Sequence, residues 1–230
     1  MNYFLIPIYI ILGFLPGLIW LAIFLWQDKK KPEPAGMVSK AFIWGMLITP
    51  PAVVIEFILI KILGLAPINI ALINILAAFL IIAPTEEYLK YFIFKYKIFK
   101  SRAYDEPIDA MIYMITIAMG FASVENILLV VQNLEDPFRI LLIRFLSATL
   151  LHALAAGLIG YSLGRLKQKK IWKNSSIAIG IFYAIIIHGL YDAMAYWQSA
   201  IALFGLAGLL ILMTIIISFL FKKLKLTKSS

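Results

Sequence analysis

The sequence predicts an all-α integral membrane protein, a polytopic bundle of about seven transmembrane helices. Of its 230 residues, 63% are hydrophobic and only 14% are charged, whereas a soluble domain is nearer half apolar and a quarter charged. The apolar residues form long runs, which favour helices over the short alternating strands of a β-barrel. Basic and non-basic connections alternate between the runs, as the orientation of helices in a bilayer requires.

Seven apolar segments approach or exceed the roughly 20 residues that a spanning helix needs. They cover about 3–26, 41–64, 68–94, 108–131, 139–164, 175–197 and 200–221. The first lacks the basic start and the small-residue cleavage site of a signal peptide, so it is predicted to be a membrane helix. The third and fifth are long enough to be tilted, kinked or partly outside the bilayer.

The connections between these segments predict the orientation of the protein. Lysine and arginine are concentrated in loops 27–40, 95–107 and 165–174 and in the tail after residue 221. Basic residues are absent from loop 132–138 and from the short joints at 64–67 and 197–200. The positive-inside rule therefore predicts an N-terminus outside and a C-terminus in the cytoplasm.

No connection is long enough to fold separately, so residues 1–230 are expected to form a single transmembrane domain. The formal net charge of +9 arises from basic loops that orient the protein in the lipid bilayer, and no nucleic-acid partner is expected. The short loops and the absence of cysteine favour a prokaryotic plasma membrane.

Several ionisable residues lie inside or at the edge of the apolar segments, where each costs at least about 2.5–3.5 kcal/mol on insertion scales. They are Glu56, Glu86, Glu87, Lys90, Glu125, Arg144, His152, His188 and Asp192. Such positions predict one buried polar site. Glu56 and Arg144 could pair with each other or join this site, and both are interpreted as structural.

The third segment contains an acidic pair just after a proline, separated from it by one threonine. Pro84 removes a backbone donor, so a kink is expected there that frees carbonyl groups and can admit water. Glu86 and Glu87 lie four and three residues before Lys90 and can therefore meet it on the helix surface. One carboxylate is expected to pair with Lys90 while the other stays free. The alternative is a neutralised structural pair.

The later segments each contribute further polar groups. Glu125 and His152 need partners inside the membrane, and hydrogen bonding between helices is the structural alternative for both. His188 and Asp192 lie four residues apart on one helix face, so the carboxylate could orient the imidazole, or both could face a metal ion. At about 1.5 Å per residue, the site residues fall within roughly 10 Å of one another in depth, which makes convergence on one site plausible.

Carboxylates and imidazoles in this combination suit the activation of water. A carboxylate can take a proton from attacking water, and histidines with carboxylates can hold a zinc ion that lowers the pKa of bound water. The zinc helix His-Glu-x-x-His is absent. Gly160-Tyr161-Ser162-Leu163-Gly164 matches a serine elbow by its letters, but it ends a membrane helix and is interpreted as helix packing.

Two other classes remain open at this point. Buried glutamate and histidine also serve as proton relays in ion-coupled transporters, although the chain has no internal repeat of the kind that many transporters show. A non-catalytic membrane scaffold is the third class, and it would lose folding or assembly but no reaction when one carboxylate is removed.

Taken together, the motifs resemble the PrsW family of intramembrane metalloproteases, which is similar to the wider superfamily of CAAX prenyl endopeptidases. The resemblance covers roughly residues 80–195. It depends on these elements in order: Glu86 to Lys90 (Glu-Glu-x-x-Lys), Asp105 to Ala110 followed by Gly120 to Asn126, His152, and His188-x-x-x-Asp192. Glu125 and Asp192 depart from the wider superfamily, which has a histidine and an asparagine at the corresponding places.

The resemblance implies an intramembrane endopeptidase that performs site-1-type cleavage of a membrane-anchored protein substrate, such as an anti-sigma factor. Carried onto this sequence, Glu86 activates water, Lys90 holds Glu87, and His188 and Asp192 bind metal or stabilise the oxyanion. Glu125 takes the place of a histidine in the wider superfamily. The expected cofactor is a divalent metal ion, zinc above all, with Glu125, His152 and His188 as the candidate ligands.

Overall fold

The computed structural model describes residues 6–29, 31–65, 71–170, 173–197 and 199–226. Some predicted boundaries fall outside these ranges. This holds for the starts at residues 3 and 68 and for part of the joints at 64–67 and 197–200. The described residues form α-helices and contain no β-strand. The helices are α1 Ile6–Leu25, α2 Ala35–Ile62, α3 Ala71–Ala77, α4 Ala83–Ile93, α5 Asp109–Gln132, α6 Pro137–Leu146, α7 Ala148–Lys169, α8 Asn174–Trp197 and α9 Ala200–Leu226.

Seven helical segments within the described ranges are long and apolar enough to cross a membrane, which confirms the predicted all-α membrane bundle. Two predicted spans are composite. The third consists of α3 and α4 joined by a π-helix at Ala78–Ile82 and followed by another at Phe94–Ile98. The fifth is broken at Ser147, which separates α6 from α7.

Helices α5 and α7 form the centre of the bundle. α5 packs against α1, α2 and α7, and α7 also packs against α8 and α9. Most side chains of α5 are buried, from Asp109 through Ser123 without interruption. The polar residues that α5 and α7 carry are therefore held inside the protein and away from lipid.

Contacts between loops place the basic connections at one end of the bundle. Lys31 pairs with Asp105 at 2.8 Å, and this pair raises the pKa of Lys31 and lowers that of Asp105. Lys167 at the end of α7 donates to the backbone carbonyl of Tyr104 at 2.5 Å. Lys225 at the end of α9 lies 3.5 Å from Oε1 of Gln27. We call this the basic end, and the positive-inside rule predicts that it faces the cytoplasm.

The crossing of α2 and α5 depends on two glycines that allow the helix backbones to touch. A Cβ atom at Gly120 would lie 2.0 Å from the carbonyl oxygen of Phe42, and one at Gly45 would lie 2.0 Å from that of Ile117. Small residues at such crossings are typical of membrane helices. This contact fixes the position of the middle of α5, about three turns of helix from either end.

Substitution of Gly120 by alanine is expected to destabilise the bundle by about 1–3 kcal/mol or more, because a methyl group would collide with backbone that cannot rotate away. Gly208→Ala in α9 is the matched control, since a Cβ atom there meets nothing within 4 Å. Thermal unfolding of the two variants in detergent checks the difference. Equal midpoints for both variants would contradict the close α2–α5 packing.

Candidate active site

The acidic pair begins helix α4, where Pro84 occupies one of the first two helical positions. Directly before α4 the chain takes the wider π-helical form, at Ala78–Ile82. The helical backbone continues into α4 from this π-helix, so Pro84 lies inside a continuous helical segment and removes one backbone donor from it. Glu86 and Glu87 follow in the next turn and are 3% and 0% exposed.

Lys90 lies between the two carboxylates and is fully buried. Its Nζ atom is 3.2 Å from Oε2 of Glu86 and 2.8 Å from Oε1 of Glu87. The prediction that one carboxylate stays free of Lys90 is therefore wrong, because an ammonium group carries three donors and reaches both neighbours. Nζ also lies 4.5 Å from the ring centroid of Phe121.

The third contact of Lys90 fixes the state of His152. Nζ lies 2.9 Å from Nδ1 of His152, and because an ammonium group can only donate, Nδ1 accepts. The ring proton is then on Nε2, which lies 2.7 Å from Oε2 of Glu125. A chain of polar contacts thus runs from α4 through α7 to α5.

Glu125 has a second partner on α6. Arg144 donates from Nη2 to Oε2 of Glu125 at 3.1 Å, and its Nε donates to Oδ1 of the neighbouring Asn126. The suggested pairing of Arg144 with Glu56 does not occur, and Arg144 joins the site. Oε1 of Glu56 is buried without a hydrogen-bond partner in the described parts of the chain.

His188 is oriented by α4 and not by its own helix. Its Nδ1 lies 2.8 Å from Oε1 of Glu87, whereas Asp192 approaches Nε2 only to 3.6 Å. The latter distance exceeds that of a hydrogen bond, so the carboxylate that holds the ring is Glu87. Nε2 of His188 lies 3.9 Å from Oε2 of Glu86, which leaves this nitrogen facing the other site residues.

A cavity of about 410 Å³ opens beside these groups. Its polar wall consists of Glu86, Glu125, Arg144, His152, His188 and Asp192. Its remaining lining is mainly apolar and aromatic: Ile82, Leu129, Ile140, Ile143, Ser147, Ala148, Leu151, Tyr191, Ala195 and Tyr196. Glu87 and Lys90 are not among the lining residues, and they contact the polar wall from behind.

The cavity includes residues that sequence reasoning passed over. Helix α6 supplies Ile140 and Ile143 beside Arg144, and Tyr191 donates its hydroxyl hydrogen to Oγ of Ser147 at 2.9 Å. The arginine in an apolar run was the available signal. No spacing links Arg144 to the other polar residues, and the break at Ser147 that separates α6 from α7 has no strong sequence marker.

The donor atoms fit a divalent metal ion. Glu86, Glu87, His152 and His188 each offer one ligand atom, and these four atoms lie within 4.8 Å of one another. Buried nitrogen and oxygen donors from histidine and glutamate are the ligands of many zinc sites. Of the three ligands expected from the sequence, His152 and His188 belong to this group, whereas Glu125 lies outside it and contacts it through His152.

Comparison with known proteins yields one consistent family. A family model for PrsW family intramembrane metalloproteases matches residues 33–220. Proteins named Protease PrsW from Oceanobacillus iheyensis, Geobacillus kaustophilus and Bacillus subtilis are each 29% identical to the chain. The matches cover 78%, 85% and 80% of this chain and 79%, 84% and 83% of the respective relatives. No solved structure matches the chain.

Proposed function

The chain belongs to the PrsW family of intramembrane metalloproteases, and we propose that its cavity hydrolyses a peptide bond of a membrane-anchored protein. The observation that carries the proposal is the polar wall, where Glu86, Glu125, His152 and His188 face one cavity between membrane helices. Charged and polar groups cost too much at such positions to be retained without a role.

In this proposal Glu86 is the general base. It lines the cavity, and its Oε2 atom accepts from Lys90 at 3.2 Å. Glu86 takes a proton from the water whose oxygen forms the new bond to the carbonyl carbon. It then returns the proton to the amide nitrogen as the carbon–nitrogen bond breaks, so the reaction needs no covalent intermediate.

The candidate ligands for the metal are Glu125, His152 and His188. A divalent metal such as zinc, once bound, lowers the pKa of its water and polarises the substrate carbonyl. To bind the metal through Nε2, His152 would release the Nε2 proton toward Glu125, and Nδ1 would take a proton from Lys90, so that the ring stays neutral. Asp192 lines the same cavity, where it would bind the metal ion or help to stabilise the oxyanion.

Glu87 and Lys90 are positioning residues in this scheme. Glu87 holds Nδ1 of His188 at 2.8 Å, which leaves Nε2 directed toward the cavity wall. A carboxylate behind a metal-binding histidine fixes the ring and raises its basicity. Lys90 offsets one of the two negative charges of the acidic pair from outside the cavity, where no substrate touches it.

We propose a substrate with a single membrane anchor, in a site-1-type cleavage such as that of an anti-sigma factor. The apolar lining from Ile140, Ile143 and Leu129 suits apolar side chains beside the cleaved bond. A cavity of about 410 Å³ accommodates a few residues and not a whole helix, so the substrate must be extended locally.

The experiment that tests this function compares wild type with His188→Gln in lipid nanodiscs, each mixed with membrane proteins of the host. Glutamine keeps a donor for Glu87 but removes the imidazole. We expect new N-termini by mass spectrometry with wild type, their loss with His188→Gln or a chelator, and loss of the tightly bound metal from His188→Gln. Glu135→Gln on an exposed loop is the control and should cleave like wild type.

Two results would contradict the proposal. One is a folded wild-type protein that releases no new N-termini from any membrane pool. The other is equal cleavage by wild type and His188→Gln. Proton or cation flux into liposomes that contain the wild-type protein would then support the transporter alternative.

A further inference from the structure

A second group of carboxylates lies at the basic end of the bundle, in residues that the proposed reaction does not use. Asp28 ends the short helical turn after α1, Glu33 lies in the connection from α1 to α2, and Asp109 is the first residue of α5. One carboxylate oxygen from each lies within 4.8 Å of the other two. Three separate elements therefore bring their acidic side chains to one point.

The burial of these groups is unusual for acidic residues. Asp28 is 7% exposed and Asp109 is 0% exposed, and carboxylates are almost never this buried without a partner. Oδ2 of Asp28 and Oδ1 of Asp109 are both buried with no hydrogen-bond partner in the described part of the chain. An atom in this state is destabilising unless a hydrogen-bond donor or a cation satisfies it.

The other oxygens of the cluster are held in place by the fold. Oδ2 of Asp109 accepts from the backbone N–H groups of Asp105 at 2.8 Å and of Glu106 at 2.5 Å. Glu33 accepts from the hydroxyl group of Tyr113. These bonds fix Asp109 and Glu33 while leaving the second oxygen of Asp109 without a donor.

The lysines nearby make their hydrogen bonds to groups outside the cluster. Nζ of Lys31 lies 2.8 Å from Asp105 and 3.2 Å from Glu106. Lys167 donates to the backbone carbonyl of Tyr104, and Lys225 lies beside Gln27. Among the ion pairs between described residues, none joins a lysine or arginine to Asp28, Glu33 or Asp109.

We propose that Asp28, Glu33 and Asp109 bind a divalent cation of the Mg²⁺ or Ca²⁺ class. The donors are all oxygens, and hard cations prefer carboxylate ligands. The set contrasts with the mixed nitrogen and oxygen donors of the candidate active site, which suit zinc. A bound cation would satisfy the unpartnered oxygens. It would also connect the turn after α1, the connection from α1 to α2, and the start of α5.

This proposal does not depend on the peptidase activity. Its rival is that the carboxyl groups share protons among themselves and bind no metal. Both arrangements hold the same side chains together, but only the first predicts saturable binding of a hard cation and stabilisation of the fold by that cation.

Terbium provides a direct probe, because Tb³⁺ occupies hard-oxygen sites and luminesces when a nearby tyrosine or tryptophan is excited. Tyr113 contacts Glu33 and is the residue expected to transfer its excitation energy to Tb³⁺. In a neutral maltoside detergent, wild type should show saturable luminescence that Ca²⁺ or Mg²⁺ displaces. Glu33→Gln and Asp109→Asn should each weaken binding at least about tenfold, since affinity follows the number of charged ligands.

Asp105→Asn is the matched control. This residue is adjacent to the acidic cluster, but its side chain is 56% exposed and paired with Lys31. It should retain binding, and so should His188→Gln, whose change lies in the other site. Tyr113→Phe tests whether Tyr113, whose hydroxyl group donates a hydrogen bond to Glu33, is the residue that transfers its excitation to Tb³⁺. Should Asp109→Asn fail to fold, Glu33→Gln decides the outcome, because Glu33 lies in a loop.

Absence of saturable luminescence in wild type would overturn the proposal. So would equal binding by wild type and Glu33→Gln, or a loss in Asp105→Asn as large as that in Glu33→Gln. A thermal midpoint that Ca²⁺ or Mg²⁺ raises in wild type and in His188→Gln, but not in Glu33→Gln, would support it independently of luminescence.

Discussion

Glu86→Gln is expected to lower kcat for peptide-bond hydrolysis by about 10²–10⁴-fold, the usual contribution of a general base. Glutamine keeps the size of the side chain and one acceptor for Lys90, but it cannot take a proton from water. The measurement uses a fluorogenic peptide built on a cleavage site mapped from the new N-termini, with protein in nanodiscs and excess substrate.

The matched control for this prediction is Glu56→Gln. Glu56 is also a glutamate inside a membrane helix, but it is absent from the lining of the cavity, so its variant should retain most of the wild-type kcat. A folded Glu86→Gln protein with nearly wild-type kcat would show that another group accepts the proton. Equal losses in both variants would indicate a general effect of removing a buried carboxylate.

Lys90→Met is expected to produce the largest loss of stability, about 3–5 kcal/mol, because removal of one partner leaves buried charge without compensation. Lys90 is fully buried and touches Glu86, Glu87 and His152. Methionine fills similar space but supplies no positive charge. Unfolding by heat or by denaturing detergent measures the change in free energy.

The double variant Lys90→Met with Glu87→Gln separates charge from packing. Neutralising one carboxylate should recover part of the stability, with a coupling energy of about 0.5–3 kcal/mol between the two positions. Lys95→Met, on the exposed side of the following π-helix, should change stability by less than about 0.5 kcal/mol. Additive effects of Lys90→Met and Glu87→Gln would contradict the buried ion pair.

Much of the architecture could be predicted from the order of residues alone. Apolar runs longer than a bilayer is thick must become helices, since only helices satisfy their own backbone polar groups in lipid. This reasoning found all seven membrane-crossing segments, including the irregular one at Pro84. The cost of ionisable groups in lipid likewise identified Glu86, Glu125, His152 and His188 as candidates for one site.

The sequence could not predict how the partners would be arranged. Spacing places Glu86, Glu87 and Lys90 on neighbouring positions of one helix, and it suggested that Lys90 would choose one of them. Only the packed structure shows Lys90 between both carboxylates and His152. The same holds for His188. The spacing of four residues predicts that Asp192 could orient its ring, but Glu87 from α4 holds the ring instead.

What the sequence determined by itself is which residues must be buried, because hydropathy and helical periodicity act within about 20 adjacent residues. What only the tertiary structure decided is which buried residues meet. That choice depends on contacts such as Gly45 and Gly120 at the α2–α5 crossing, and on the break at Ser147 that turns Arg144 toward Glu125. Helix pairing of this kind is set by packing between segments far apart in the chain, and no local pattern encodes it.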